Sequence, residues 1–209
     1  AITVAPGANL CLEPAHLGEL GGVSHLLMQL EISLPTVTAF ATAARKQGVT
    51  VVLNAAPMQA LPSRLLDQMD VLVVNEGELA ALSGRQASVA ESLERIAVPT
   101  VVVTLGARGC CVRHQGEFLL QPGYCVTPVD TTAAGDTFCG ALVAALSQGS
   151  DMPQAMRLAS AAGALACTRM GAQSSIPQAS EVLAFLAQQP QANAASVDTL
   201  RTYCGLTHS

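Results

Sequence analysis

Short runs of apolar residues alternate along the chain with longer segments in which apolar residues recur every three or four positions. The runs are typical of buried strands, and the spaced segments are typical of amphipathic helices. The pattern predicts strands at residues 25–30, 49–53, 71–74 and 99–104, a hairpin at 109–114 and 117–121, and helices at 14–20, 34–47, 63–68, 76–82, 88–96, 135–147, 153–168 and 178–188. A short apolar stretch at residues 2–5 opens the chain, and the tail from Gln189 is polar and weakly patterned.

Apolar strands that are separated by helices indicate the α/β class, with a mostly parallel sheet flanked by helices on both faces. We expect residues 1–209 to form one such domain, because this length suffices for one sizeable core. Ligands of such sheets bind beyond the carboxyl ends of the strands. Polar residues stand at four predicted strand ends, namely Glu31, Asn54, Asn75 and Thr104. Each alone is equally a turn former, but their recurrence predicts a shared cleft.

Composition narrows the classes of function. The net charge is −5 and Lys46 is the only lysine, so the chain lacks the basic surface of a nucleic-acid binder. No apolar run reaches the roughly 18 residues that suggest a membrane span. The seven cysteines are scattered and form no Cys-x-x-Cys pair, which argues against a zinc site. Reduced thiols in a cytoplasmic protein fit this pattern best.

The most informative segment is residues 129–138, in which Asp130 and Asp136 flank a run of small residues ahead of an apolar helix. Small residues let backbone N–H groups approach a ligand, and the first turn of a helix offers unpaired N–H groups and a positive dipole end. This combination suits a phosphate or another developing anion. A carboxylate at such a position is better explained as a base than as a surface charge, which makes Asp136 the candidate. The alternative is that Asp136 and Thr137 only cap the helix.

Two further clusters belong to the predicted cleft. Asn75 ends a strand and Glu78 lies one helical turn later, where a carboxylate can hold magnesium through water beside triphosphate oxygens. An acidic helix start that complements the dipole is an equally good explanation of Glu78. Residues 104–109 carry two glycines after a buried strand, which lets the backbone approach a flat or charged ligand. The alternative for this segment is an ordinary turn at the entry to the hairpin.

The motifs of the chain resemble those of the phosphofructokinase-B-type carbohydrate kinases, in the order of that family and over nearly the whole length. The motifs are Gln29-Leu-Glu31, Asn54-Ala-Ala-Pro57, Asn75-Glu-Gly-Glu78, Thr104-Leu-Gly-Ala-Arg-Gly109, Asp130-Thr-Thr-Ala-Ala-Gly-Asp-Thr-Phe138, and Thr168-Arg-Met-Gly-Ala-Gln173 with Ser175-Ile-Pro177. The forms at residues 133–136 and 171–177 are similar to the ribokinase branch of the family. The alternatives are a kinase of another small sugar or a nucleoside, and a nucleotide-binding fragment without turnover.

The resemblance implies that the chain belongs to an ATP-dependent kinase that phosphorylates the 5-hydroxyl of D-ribose and gives ribose 5-phosphate. Asp136 would be the catalytic base, and the sugar would contact Glu31 and Asp136. The backbone N–H groups of Ala133, Ala134 and Gly135 would form the anion hole for the phosphoryl group. The implied ATP site consists of Asn75, Thr104, Leu105, Gly106, Ala107, Arg108, Gly109, Gly135, Asp136 and Ser160.

The resemblance also implies two cations and a further segment. The implied potassium site consists of Asp130, Thr132, Ala166, Arg169, Gly171 and Ser175, several of them through backbone carbonyls, and Glu78 would face magnesium through water. For residues 169–171, a plain helix C-terminus is the alternative. The family has an N-terminal segment with a glycine-rich sugar motif and a β lid at the homodimer contact. Because the sequence lacks these motifs, we expect it to be the C-terminal part of a kinase that is a homodimer when intact.

Overall fold

The computed structural model describes residues 7–84, 87–189 and 192–206. Its strands form one six-stranded sheet in sequential order. The strands are β1 (His25–Met28), β2 (Thr50–Asn54), β3 (Val71–Asn75), β4 (Thr100–Thr104), β5 (Gly109–His114) and β6 (Glu117–Pro122). The helices are α1 (Leu34–Lys46), α2 (Ser63–Leu66), α3 (Glu76–Ser83), α4 (Val89–Glu94), α5 (Ala134–Ser147), α6 (Met152–Ala166), α7 (Ala179–Gln188) and α8 (Ala194–Cys204). Short 3₁₀ turns occupy Gly7–Cys11, Pro14–His16, Gly106–Arg108 and Gln173–Ser175.

Strand direction brings the predicted site residues to one edge of the sheet. Strands β1 to β4 are mutually parallel, and β5 and β6 form an antiparallel hairpin beside β4. Strand β6 therefore runs in the same direction as β1 to β4, and its end lies at the edge where their carboxyl ends lie. The segment after β6 leads from this edge into α5, and Asn75 and Thr104 are direct partners in the register of β3 and β4. The predicted α/β fold with a mostly parallel sheet is confirmed.

Alternate residues of each strand face opposite cores. Leu53 and Val101 pack in the core formed with α1 to α4 and α8, whereas Val52 and Val102 pack against α5 and α6. The adjacent pair Cys110 and Cys111 divides in the same way, Cys110 with α5 and α6 and Cys111 with the other core. A sheet covered on both faces explains why its strands are apolar at nearly every position.

Local signals set most helix ends where the sequence predicts them. Helix α1 begins after Ser33, whose side chain accepts from the Thr36 N–H, and Gly48 follows it with a φ of 73°. Helices α3 and α4 each begin with a capping box, in which the cap residue and a glutamate three positions on bond each other's backbone. The hairpin turns at Gln115 and Gly116, both with positive φ, as a two-residue turn requires.

Two predictions of secondary structure are wrong. The helix expected at residues 14–20 is only a 3₁₀ turn at Pro14–His16, and the tail that the sequence left unassigned contains α8. Helix α8 buries only Leu200 and Cys204, so its apolar period is too sparse to be read from the sequence. The apolar stretch at residues 2–5 lies outside the described residues. Within the described ranges, every helix is too short or too polar to cross a bilayer.

Candidate active site

Asp136 is the third residue of α5 and is exposed at the sheet edge described above. The cap position of α5 is Ala133, which has a left-handed φ of 59° and no side chain that can cap. The Asp136 carboxylate forms no hydrogen bond with any described residue, and Thr137 is buried with its hydroxyl unpaired within the same ranges. Among the described residues, neither Asp136 nor Thr137 therefore caps the helix, and the role of Asp136 as a base stays a prediction.

The first turn of α5 presents open backbone N–H groups. Within the described ranges, the amides of Ala133 and Gly135 have no backbone partner, whereas the Ala134 N–H donates to the Thr131 carbonyl at 3.3 Å. A Cβ on Gly135 would meet no described atom within 4 Å, so this side of the turn faces open space. Two of the three amides expected in the anion hole are thus available, and the helix dipole adds to their attraction for an anion.

A capping box fixes the start of α3. The Asn75 side-chain oxygen accepts from the Glu78 N–H at 2.9 Å, and Glu78 Oε2 accepts from the Asn75 N–H at 2.8 Å. Glu78 is only 5% exposed, and this burial raises the pKa of its carboxyl group above the usual value. The structure therefore shows Glu78 in the capping role that was the alternative explanation. A magnesium contact would fall to its other oxygen, and that contact stays a prediction.

The turn after β4 contains two glycines, and each position requires glycine for a different structural reason. Gly106 has a φ of 58° and open space around it, so it suits a ligand that approaches the backbone. Gly109 has a φ of 109°, and a Cβ there would lie 2.0 Å from the Gln121 carbonyl oxygen of β6. The sequence argument about ligand approach thus applies to Gly106, while Gly109 is needed for close packing of the chain. Leu105 is buried and anchors the turn in the core.

Ser160 of α6 lies close to the same turn. Its hydroxyl is 3.6 Å from the Cys110 sulfur at the beginning of β5. On the same helix, a Cβ at Gly163 would lie 3.2 Å from the Ala134 carbonyl oxygen, so α6 approaches the start of α5 closely. Helix α6 therefore links the turn after β4 to the open amides of α5.

The residues expected at the potassium site lie in two segments, residues 130–132 and 166–175, that hydrogen bonds hold together. Asp130 Oδ1 accepts from the Thr132 hydroxyl at 2.7 Å and the Thr132 N–H at 2.9 Å, and Oδ2 accepts from the Gly171 N–H at 3.0 Å. These bonds, the Thr132 hydroxyl first, lower the pKa of Asp130 to about 2. The Val129 N–H also donates to the Cys167 carbonyl at 2.7 Å. Asp130 is thus ionised and rigidly placed at neutral pH.

The remaining residues of the predicted potassium site lie between the end of α6 and the 3₁₀ turn at Gln173–Ser175. The Arg169 N–H donates to the Ala166 carbonyl at 3.2 Å, and the Arg169 guanidinium pairs with Glu181. Ser175 is fully buried and its hydroxyl donates to the Ala172 carbonyl at 2.7 Å. Among the described residues, no group of three or more His, Cys, Asp or Glu side chains forms a metal cluster. A cation here would rely on carbonyl and carboxylate oxygens, as the prediction requires.

Glu31 is exposed beyond the carboxyl end of β1, where its Oε2 is 3.5 Å from the Asn9 side-chain nitrogen. Asn9 was not among the predicted site residues, since no motif surrounds it. Of two surface cavities of about 410 and 630 Å³, the larger is lined in part by Glu76, next to Asn75, and Asp136 lines neither of them. Asp136 and Glu31 therefore face an open surface of the described chain.

Comparison with known proteins agrees with this geometry. Residues 7–179 match the model of the pfkB family carbohydrate kinases. The chain belongs to this family. A ribokinase of Haemophilus influenzae is 40% identical over 202 residues, which are 89% of this chain and 64% of that protein. The family resemblance derived from the motifs is thus confirmed.

Solved structures of ribokinases resemble the chain in fold. The ribokinase of Thermotoga maritima has a TM-score of 0.82 and 36% identity, with 90% of this chain and 65% of that chain covered. The ribokinase of Arabidopsis thaliana complexed with ribose and ATP has a TM-score of 0.75 and 34% identity, with 79% of this chain and 56% of that chain covered. This pfkB family chain therefore spans less than two thirds of the length of these relatives.

Proposed function

We propose that this protein is an ATP-dependent sugar kinase that transfers the γ-phosphate of ATP to the 5-hydroxyl of D-ribose. The observation that carries the proposal is the unpaired Asp136 carboxylate beside the open Gly135 amide at the start of α5. A base next to an anion site is the pair of groups that transfer to a hydroxyl requires.

In the proposed reaction, Asp136 takes the proton of the ribose 5-hydroxyl as its oxygen attacks the γ-phosphorus. The bond between that phosphorus and the bridging oxygen of ADP breaks, and ADP leaves with the electron pair. The amides of Ala133 and Gly135 stabilise the charge on the transferred phosphoryl group. Phosphoryl transfer depends mainly on positioning and electrostatic stabilisation, which fixed backbone amides supply.

The residues present fit the nucleotide and the two cations. We propose that Asn75, the turn at residues 104–109 and Ser160 hold the nucleotide at the carboxyl edge of the sheet. Magnesium would lie near Glu78 and neutralise phosphate charge. Potassium would take oxygen ligands from the loops of Asp130 and Gly171, whose carboxylate and carbonyl groups suit a hard cation.

Substitution of Asp136 by asparagine tests the proposal. Because the chain spans less than two thirds of its relatives, turnover is measured in this chain and in a form that carries the preceding segment of the Haemophilus relative. Loss of a positioned base should lower kcat of the active form about 10²- to 10⁴-fold. The affinity for a non-hydrolysable ATP analogue should persist, because the amides remain. Near-wild-type turnover of Asp136→Asn would refute the role of base.

The choice of ribose rests on the similarity to ribokinases and on the resemblance that assigns Glu31, which lies beyond the carboxyl end of β1, to the sugar. A panel of sugars and nucleosides with ATP tests it in the same active form. We expect ribose to have the highest kcat/KM. Faster phosphorylation of fructose 6-phosphate or of a nucleoside would overturn the ribose assignment and retain the kinase.

The 209-residue chain alone should bind the ATP analogue weakly and phosphorylate ribose poorly. The nucleotide turn and the start of α5 lie within it, but Asp136 faces an open surface, and exclusion of water favours transfer over hydrolysis. Isothermal titration and a coupled assay with ribose measure the two parts. Rapid ribose turnover by the chain alone would show that these residues suffice to hold the sugar.

Location and assembly are part of the same proposal. Four of the seven cysteines, namely Cys110, Cys111, Cys139 and Cys204, are buried as free thiols, which suits a reducing cytoplasm. Within the described sheet, β1 has a neighbouring strand on one side only. An edge of this kind can pair with another strand. We propose that the intact kinase is a homodimer because the resemblance implies a dimer contact through the β lid of the family.

A further inference from the structure

Helix α8 lies beyond residues 7–179, the part of the chain that matches the family. It contacts β6 and α4, and it places Leu200 and Cys204 in the core that contains Cys111 of β5. Gly205 ends the helix with a φ of 77°, and a Cβ there would lie 2.5 Å from the Cβ of Ser88, the cap residue of α4. The C-terminal end of α8 is therefore tightly fixed on the domain.

Tyr203, near this fixed end, contacts Arg108 of the candidate nucleotide site and Glu76, which lies beside that site. Its hydroxyl donates to Glu76 Oε1, and the Arg108 guanidinium carbon lies 4.2 Å from the centre of its ring. Arg108 Nη1 is also 3.8 Å from Glu76 Oε2. Glu76 directly follows Asn75, and Arg108 belongs to the turn at residues 104–109. The three side chains thus join α8, the start of α3 and the turn after β4.

We infer that Tyr203 is a positioning residue for nucleotide binding, which it supports by holding Arg108 and thereby the turn at residues 104–109. The inference rests on the proposed nucleotide site. The Arg108 side chain is 54% exposed and that of Glu76 is 41% exposed, so their long ion pair fixes little by itself. The ring of Tyr203 supplies a flat surface that orders the guanidinium, and the hydroxyl of Tyr203 orders Glu76.

The size of the effect follows from these contacts. A cation–π contact at an exposed site changes an equilibrium by roughly two- to fivefold, and the loss of order in the turn adds to this change. We expect Tyr203→Ala to raise the dissociation constant of a non-hydrolysable ATP analogue about three- to tenfold. Tyr203→Phe keeps the ring over Arg108 and loses only the hydroxyl, so its dissociation constant should stay within about twofold of the wild type.

A double-mutant cycle distinguishes positioning from a general structural role. Isothermal titration compares wild type, Tyr203→Ala, Arg108→Ala and the double variant. If Tyr203 acts through Arg108, the double variant binds the analogue as Arg108→Ala does, and the two effects do not add. Thr202→Ala is the matched control on α8, because among the described residues the Thr202 hydroxyl bonds only to the Asp198 carbonyl of the same helix. It should bind as the wild type does.

Three results would overturn parts of this reasoning. Saturable binding by the wild type with an unchanged constant in Tyr203→Ala overturns the inference alone. Additive effects of Tyr203→Ala and Arg108→Ala also overturn it, because Tyr203 would then act independently of Arg108. If the wild-type chain shows no saturable binding of the analogue, the nucleotide site fails and the inference fails with it. Thermal unfolding without nucleotide shows that each variant is folded.

Discussion

Arg113 of β5 closes the end of α4 with three hydrogen bonds. Its Nε donates to the Leu93 carbonyl at 3.0 Å, and its Nη2 donates to the carbonyls of Ile96 at 2.7 Å and Val98 at 2.6 Å. The Leu93 carbonyl also accepts from the Ile96 N–H, and the Ile96 carbonyl from the Val98 N–H, so Arg113 adds further donors to the segment that ends α4. Replacement by methionine keeps the apolar stem of the side chain and removes all three donors.

The magnitude follows from the number of bonds and their exposure. A hydrogen bond from a charged donor contributes about 1.5–3 kcal/mol when it is well buried. Arg113 is half-buried, so water can replace part of each hydrogen bond when the side chain is removed. We therefore assign each bond a contribution of about 1 kcal/mol to the free energy of unfolding. Arg113→Met should therefore lower the free energy of unfolding by about 2–4 kcal/mol. For a domain of this size, the melting temperature should fall by roughly 5–12 °C.

Urea unfolding followed by circular dichroism measures the change. The midpoint should fall with an unchanged m-value, since the native surface stays the same. Arg64→Met is the control, because Arg64 is exposed on α2 and forms no hydrogen bond with the described residues. Its effect should stay within about 0.5 kcal/mol. Equal midpoints for Arg113→Met and Arg64→Met would refute the argument that the three hydrogen bonds of Arg113 stabilise the folded chain.

Two further predictions concern acid and thiol reagents. The pKa of Asp130 in the folded chain is about 2, below its value of 3.8 in the unfolded chain, so its stabilising bonds are intact above about pH 4 and are lost as the pH falls towards 2. Asp130→Asn should therefore weaken the dependence of the urea midpoint on pH between pH 4 and 2, and an unchanged slope would contradict this. An aromatic disulfide reagent should label the exposed Cys11 and Cys125 rapidly, and the buried thiols only after unfolding, because burial raises the pKa of Cys110 and Cys139 to about 12. Rapid labelling of four or more thiols in the native chain would contradict this prediction.

Local sequence patterns were sufficient to predict the sheet and most of the helices. Apolar runs marked β1 to β4, because strands covered on both faces need apolar residues on both sides, and the turn at residues 115–116 marked the hairpin of β5 and β6. The opposite faces of Cys110 and Cys111 follow from their adjacent positions, since side chains alternate along a strand. The same reasoning brought Asn75 and Thr104 to one edge, where the register confirms them as neighbours.

Contacts between distant parts of the chain were beyond sequence reasoning. Tyr203 bonds Glu76 across 127 positions, and α8 has too few buried residues to show a helical period. The need for glycine at position 109 was also not predictable, because it depends on the Gln121 carbonyl of β6, a strand further along the sequence. Sequence patterns report the period of an element and its ends, whereas such contacts depend on how elements dock.

The start of α5 lacks both a relaxed backbone conformation and a cap side chain, and each of these would stabilise the helix. The absence of both supports the anion-binding role proposed for this helix start. A left-handed alanine costs about 1–2 kcal/mol, and a missing cap side chain costs about 1 kcal/mol more. A serine or aspartate at position 133 would recover the cap, but its oxygen would bond the N–H groups of the next turn. Those are the amides that Gly135 and Asp136 now leave open. A phosphoryl group can bond them instead, which supports the proposal that the unfilled cap serves as an anion site beside Asp136.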